Sequence, residues 1–385
     1  MNQGHQHKSA GSAPRLLLVT TAIEPSASVS GGRAMLSHLV ADALAEILGS
    51  RLEVYRIAPQ GLRGVRAVAS ALNGTVDGVD AAVVREVVAL MNAKGIERVI
   101  FDGSSLGYLC RQVRLQFKDA ELLTLFHNCE ARFFYGAFRH YKSVRSLGVL
   151  MANFVAERMA VRYSHRLICL NHRDGDLLRR LYGRAATDLF PMALRDRFGQ
   201  CGVSSTEAAP EAYVLFVGGG FYANMAGIVW YARNVAPTVP VKTLVVGMGL
   251  DSIKAELQRC SGIEVVGAVD DLSPWYLGAR FVVAPIFDGS GMKTKVAEAL
   301  MYGKRIVGTV EAFTGYEDVI ERVGAACRSH SEFAEAVKAE MCREHVAVDP
   351  DLRRIYEQRY SFSAARDRLR QILCEAEPPC ILGVH

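Results

Sequence analysis

No uninterrupted apolar run reaches the ~18 residues that a membrane-spanning helix requires, so a helical membrane span is excluded. Residues 1–14 have no apolar centre of the kind a secretory signal carries; they are polar and rich in Gly, Ser and His. We read them as a disordered leader, with His5 and His7 as tail residues rather than metal ligands. The nine cysteines are an odd number with no Cys-x-x-Cys pair and no zinc-like spacing. That excludes a disulfide framework and a structural zinc site, and points to reduced thiols in the cytoplasm. No carboxylate pair sits at the end of a predicted strand, where it would hold a divalent cation, and Asp270-Asp271 lacks that context. We therefore expect no metal and no cofactor. Basic residues are not interleaved with stacking aromatics on a recognisable module, which argues against nucleic acid as a partner.

What is present suits a globular protein of two domains. The chain has 385 residues, half of them hydrophobic and 22% charged, about twice the size of one domain. Net charge is only +5, but it is uneven. From Arg111 to Arg184 there are fourteen Lys or Arg against six Asp or Glu, an excess of +8. A basic half suits an anionic partner such as a phospholipid surface or a pyrophosphate-linked molecule; solvated helix faces are the plainer alternative.

Short apolar runs alternate with helical patterns. Arg15 to Thr20, Leu52 to Ile57, Arg98 to Phe101, Glu121 to His127 and Arg166 to Leu170 read as buried strands. Helices are expected from Arg33 to Ile47, Asp80 to Ala93 and Val144 to Tyr163. After a small, polar stretch the alternation restarts, with strands at Tyr213–Val217, Thr243–Val246, Glu264–Val265, Phe281–Pro285 and Arg305–Thr309. Helices fall between them at Met225–Val235, Ser252–Arg259 and Lys293–Tyr302, and others run to the end. The fold class is α/β, as two Rossmann-like, doubly wound parallel-sheet domains facing a central cleft. The expected divisions are 15–196, a linker at 197–210, and 211–385, with a last helix that packs back on the first domain.

The densest chemical signal is Phe287 to Thr309, FDGSGMKTKVAEALMYGKRIVGT. A strand opens into a loop with Gly289 and Gly291, and a helix begins near Met292. A helix start presents unpaired N–H groups and the positive end of the dipole to an anion. Lys293 and Lys295 add charge beside it. Glu298, three residues after Lys295, lies on the same side of the helix, where a carboxylate can accept from ribose hydroxyls. A Gly turn with a surface Lys–Glu pair is the alternative. His127 ends the fourth strand in LFHNCE, where active-site residues gather in this architecture, beside Asn128 and Glu130; Glu130 is either a further polar contact or a helix cap. His140, His165 and His172 lie in Arg-rich stretches and are set aside.

This run resembles the donor-binding signature of the GT-B glycosyltransferases, specifically glycosyltransferase family 4, or group 1. Members read Gly-x-Gly-x-x-x-Lys-x-x-Glu-Ala, then a Gly, then Val-Val-x-Thr. Gly289, Gly291, Lys295, Glu298, Ala299, Gly303, Val307 and Thr309 sit where that pattern wants them. Val217-Gly218 with Asn224, Val246-Gly247-Met248-Gly249, and Gly267 with Asp270-Asp271 resemble the flanking segments, so the likeness spans about Tyr213 to Tyr316. In the first half, Gly31-Gly32-Arg33 resembles the family's Gly-Gly loop beside the transferred sugar, and a His at the place of His127 contacts that sugar. The resemblance implies a glycosyltransferase using a nucleotide-diphosphate sugar, with retention of configuration. It assigns His127, Lys293 and Lys295 to catalysis, and Gly31, Gly32, Gly218, Gly247, Gly249, Ser290, Gly291, Met292 and Glu298 to the donor.

Two departures stand out. Many members carry two glutamates separated by seven residues, and here the first falls on Ser290. Many also grip the pyrophosphate with an Arg and a Lys after the first strand of the second domain; here that stretch is Gly218, Gly219, Gly220, Phe221, Tyr222, with no base. The acceptor expected is anionic, either lipid-linked or a growing envelope polysaccharide, with peripheral contact at the inner membrane face. Two rival readings are a sugar-nucleotide 2-epimerase, for which no carboxylate cluster is seen, and a non-catalytic nucleotide-sugar-binding partner.

Overall fold

The computed structural model describes residues 14–21, 31–58, 72–200 and 212–374. The expected leader up to Ala13, and the expected linker from Cys201 to Pro210, lie outside the described residues.

The first sheet holds β1 (Leu16–Thr20), β2 (Leu52–Arg56), β3 (Arg98–Asp102), β4 (Glu121–Phe126), β5 (Arg166–Cys169) and β6 (Asp188–Leu189). All pairings are parallel, in the order β2-β1-β3-β4-β5-β6. The second holds β7 (Tyr213–Val217), β8 (Lys242–Val246), β9 (Ile263–Gly267), β10 (Val282–Ala284), β11 (Ile306–Thr309) and β12 (Gly324–Cys327). It too is parallel, in the order β12-β11-β10-β7-β8-β9. β1 and β7 are buried at every residue, as strands covered on both faces must be.

Strand order reverses between β1 and β3 in one sheet and between β7 and β10 in the other. These are the switch points at which open α/β sheets bind ligands. The first receives Asp102 and the turn into α1 (Gly32–Leu48); the second receives the loops after Val217 and Ala284.

Further helices of the first domain are α2 (Ala81–Lys94), α3 (Gly107–Gln116), α4 (Glu130–Tyr141), α5 (Val144–Tyr163) and α6 (His172–Tyr182). The second domain adds α7 (Tyr222–Asn234), α8 (Asp251–Leu257), α9 (Ser273–Gly278), α10 (Thr294–Met301), α11 (Ile320–Val323), α12 (His330–Cys342), α13 (Pro350–Arg359) and α14 (Phe362–Cys374). Helices α3, α4, α6 and α9, and strands β6 and β12, were not read from the sequence.

One continuous apolar core crosses from domain to domain, joining Leu16, Leu39 and Leu125 to Leu215, Met292 and Leu300. The chain crosses twice. Leu194 bridges to Ser361, and the Tyr356 hydroxyl donates to the Leu194 carbonyl at 2.8 Å. Helix α14 then lies against α1 of the first domain. There the Arg98 guanidinium donates to the Leu373 carbonyl at 2.8 Å, and Arg366 pairs with Glu46 at 3.2 Å.

Candidate active site

The donor loop is set by its neighbours. The Ile286 N–H donates to Thr309 Oγ1 at 3.1 Å, tying the loop start to the end of β11. Asp288 Oδ1 accepts from the Gly289 N–H at 2.8 Å. Gly289 and Gly291 have φ of 124° and 66°, values that favour glycine. A Cβ on Gly291 would lie 2.7 Å from the His127 carbonyl oxygen, so the loop presses directly on the end of β4 from the other domain. The Ser290 hydroxyl donates to the Cys129 carbonyl at 3.4 Å across the same seam. Gly32 also touches the second domain: a Cβ there would lie 2.6 Å from Thr294 Cγ2. The Gly-Gly turn, the end of β4 and the start of α10 are thus one locality.

His127 is buried, and its Nε2 lies 2.7 Å from Asp102 Oδ1. Burial would raise the Asp102 pKa, but His127 and the hydroxyls of Thr20 and Ser37 outweigh it and hold the pKa down at about 2. An ionised Asp102 can only accept, so the proton of that bond belongs to His127 Nε2. The buried Nδ1 has no hydrogen-bond partner. Glu130, at the start of α4, is buried, and burial pushes its pKa to about 8 in spite of the nearby Arg33 guanidinium. The N-terminus of α4 is capped by Glu157, which accepts from the Glu130 N–H at 2.8 Å and the Ala131 N–H at 3.1 Å.

Lys295 is buried, with Nζ donating to Asn224 Oδ1 at 3.0 Å and lying 4.8 Å from the Phe216 ring centre. Burial lowers its pKa to about 8. Glu298 is half-buried on the same helix, accepts from the Tyr276 hydroxyl at 2.8 Å, and is pushed upward by burial. Lys293 Nζ donates to the Gly291 carbonyl at 3.0 Å and to Glu311 Oε1 at 3.1 Å. Met292 is buried at the domain seam, its sulfur accepting from the Met192 N–H at 3.3 Å.

The other expected donor glycines, Gly218, Gly247 and Gly249, lie in the loops at the second switch point. The Gly218 N–H donates to the Val246 carbonyl and the Gly247 N–H to the Gly267 carbonyl. A Cβ on Gly247 would lie 2.1 Å from the Gly218 carbonyl oxygen, and one on Gly220 would lie 2.2 Å from that of Gly249. These residues let the two loops stack backbone to backbone at the switch point. Among the residues set aside, His165 Nδ1 accepts from the Leu122 N–H at 2.9 Å, whereas His140 stacks on Tyr222 of the other domain at 4.8 Å.

Four site residues were missed by sequence reading: Asp102, Glu311, Arg132 and Arg173. Glu311 accepts from Arg173 Nη1 at 2.7 Å and Arg132 Nη2 at 3.3 Å, as well as from Lys293. The two arginines reach Glu311 from 179 and 138 residues away, so their convergence on it is tertiary. Among the described residues no group of three or more His, Cys, Asp or Glu is placed to hold a metal ion.

Two doubly wound parallel sheets with their switch points facing each other define the GT-B class of glycosyltransferase fold. Residues 211–341 match the model of the family described as Glycosyl transferases group 1. That domain is similar to the group 1 glycosyl transferases, and the chain is a transferase. No curated protein matches the sequence. Solved structures share the fold at low identity. A sucrose-phosphate synthase from Thermosynechococcus elongatus superposes with a TM-score of 0.71 at 15% identity, covering 94% of this chain and 98% of that one. HepE from Anabaena, in complex with UDP and glucose, gives 0.62 at 14% identity, covering 94% and 100%. A UDP-forming trehalose-phosphate synthase from Burkholderia vietnamiensis gives 0.62 at 13%, covering 96% and 98%.

Proposed function

We propose that the protein transfers a sugar from a nucleotide-diphosphate donor to an anionic, lipid-linked or envelope polysaccharide acceptor, with retention of configuration and without a metal ion. The observation that carries this reading is the meeting of the Gly289–Lys295 loop with His127 across the domain seam. Cleaving the anomeric bond leaves negative charge on the nucleoside diphosphate. The start of α10 and the ammonium groups of Lys293 and Lys295 are fixed where such charge is best met, and preorganised donors of this kind are each worth ~3–4 kcal/mol. Because these groups supply counter-charge, the leaving group needs no divalent cation. Glu298, one turn along α10, is the ribose ligand. His127 Nδ1, its ring oriented by Asp102, is an acceptor for a sugar hydroxyl. Retention rests on the family resemblance.

Support for a nucleotide donor also comes from HepE, which is solved in complex with UDP and with UDP-glucose. The acceptor reading rests on the basic excess of the first domain, and with it goes our proposal of a cytoplasmic protein working at the inner membrane face. A thermal-shift screen against UDP-, GDP-, ADP-, TDP- and CMP-sugars tests the core of the proposal. A true donor at 100 times its Kd should add ~2.7 kcal/mol of stability, and no shift with any of them would overturn it. Transfer should survive EDTA; loss restored by Mg²⁺ or Mn²⁺ would overturn metal independence.

A further inference from the structure

The second domain lacks bases where β7 opens into its loop, and Gly218, Gly219 and Gly220 stand there instead. Across the seam the first domain presents two. Arg132 is in the first turn of α4, and its Nε reaches the Gly289 carbonyl at 3.5 Å, on the rim of the donor loop. Arg173 is in the first turn of α6. Both point at Glu311, which also takes Lys293, so one carboxylate holds three cations from two domains. Such an arrangement leaves positive charge in excess. Among the described residues two further acids act on Arg173: Asp174, which is fully buried and engaged with Asn171 at 2.9 Å, and Glu317 beyond it. Arg173 Nε is buried with no partner. A planar guanidinium with a free N–H is suited to a phosphate's oxygens, which it can grip in pairs.

Helix α4 is fastened in the position that brings Arg132 to the loop. Phe133 stacks on Phe221 with ring centres 5.8 Å apart, and the His140 ring lies on Tyr222. The Tyr222 hydroxyl donates to Asp288 at 3.2 Å, at the foot of the donor loop. A Cβ on Gly136 would lie 2.9 Å from that hydroxyl oxygen and 3.0 Å from Asp288 Oδ1, so any larger residue there would push the tips of both side chains aside.

We propose that Arg132 and Arg173 of the first domain bind the donor's diphosphate from across the cleft, with Glu311 holding them in its place between turnovers. This rests on the nucleotide-diphosphate reading given above. It makes the phosphate site a property of the closed pair of domains, so the donor itself draws them together.

Calorimetry with UDP, GDP, ADP and dTDP and their monophosphates tests this on the wild type and on Arg132→Gln, Arg173→Gln and Glu311→Gln. Each arginine variant should lose about tenfold or more in diphosphate affinity, the order expected for a lost bond to a charged group, and less for the monophosphate. Arg132→Lys should recover part of the loss. Glu311→Gln should tighten diphosphate binding, because a competitor for the same cations is gone. A merely structural ion cluster would make that variant bind no better and melt earlier. Unchanged diphosphate affinity in folded arginine variants, or a loss confined to acceptor KM, would overturn the proposal. If the wild type binds none of the four diphosphates, the donor reading itself falls, an outcome distinct from failure of the arginine variants alone.

Discussion

Glu298 already accepts one hydrogen bond, from a wholly buried Tyr276, and is half-buried on α10. Glu298→Gln keeps shape and helix propensity, so the fold should survive. Nucleotide affinity should fall by roughly 1.5–3 kcal/mol, the value of a charged hydrogen bond, and calorimetry finding no change would remove the ribose role. Lys295 gives a pH signature. Its ammonium, lowered to about 8 by burial, is charged below that pH and neutral above it, so kcat/KM should fall as pH rises through about 8. Glu130, raised to about 8 by burial, ionises over the same range and opposes an anionic donor in the same direction. The pH profile of Glu130→Gln separates them: the falling limb persists if Lys295 carries it and disappears if Glu130 does. Lys293, Lys295 and Glu298 were legible because they sit in one short run whose spacing is a helix turn. Glu311, Arg132, Arg173 and Asp102 were not, because a carboxylate after β11 meets guanidinium groups from α4 and α6 across the seam, and Asp102 meets His127 from the neighbouring strand. No local pattern encodes those meetings.

At the scale of elements, most strands legible in the sequence, among them β1, β4, β5 and β7, are buried on both faces, and their apolar runs are bounded by polar turns. The missed elements depend on contacts instead. Strand β12 is Gly-Ala-Ala-Cys, without a branched residue, and forms because Gly324 can approach the Ile306 carbonyl, where a Cβ would lie at 1.7 Å. Helix α4 is aromatic and carries Gly136 in its middle, a poor helix on propensity alone. It is held by the Glu157 carboxylate at its N-terminus and by stacking on the second domain. Helix α3 begins with Gly107 against α5, where a Cβ would lie 1.8 Å from the Ala156 carbonyl oxygen. That neighbour is backbone in the middle of a 20-residue helix and has no rotamer with which to yield. Gly107→Ala should therefore destabilise the first domain by about 1–3 kcal/mol or more, the range for overpacked cores. Denaturant unfolding checks it, and an unchanged midpoint would mean that α3 and α5 slide apart freely.

Over the whole molecule, the basic excess between Arg111 and Arg184 divides into three groups. Arg166 is buried against Asp188, and Arg184 is spent on the Ser164 and His165 carbonyls. Arg132 and Arg173 turn into the seam. Lys118, Arg139, Lys142, Arg145, Arg158, Arg162, Arg179 and Arg180 remain exposed, and Arg111 and Arg114 are partly so. Of the aromatics that lie between these bases in the sequence, Phe133 faces the second domain, but Tyr135 and Tyr141 stay open to solvent. Val144, Leu147 and Met151, at intervals of three and four on α5, are exposed as well, Val144 by 89%. That spacing puts them on one side of the helix, next to Lys142 and Arg145. An exposed apolar patch of this kind marks an interaction surface. With the flanking bases, each worth ~1 kcal/mol near an anionic leaflet, it fits a membrane interface better than a soluble acceptor. The protein should therefore float with liposomes containing anionic lipid at low salt, bind less as salt screens the charge, and bind less again in a Val144→Ser, Leu147→Ser, Met151→Ser variant. No part of that variant touches the transfer site, so soluble-donor hydrolysis reports that it is folded. If the wild type fails to co-float even at low ionic strength, where attraction is least screened, the acceptor is soluble and the exposed bases serve it directly.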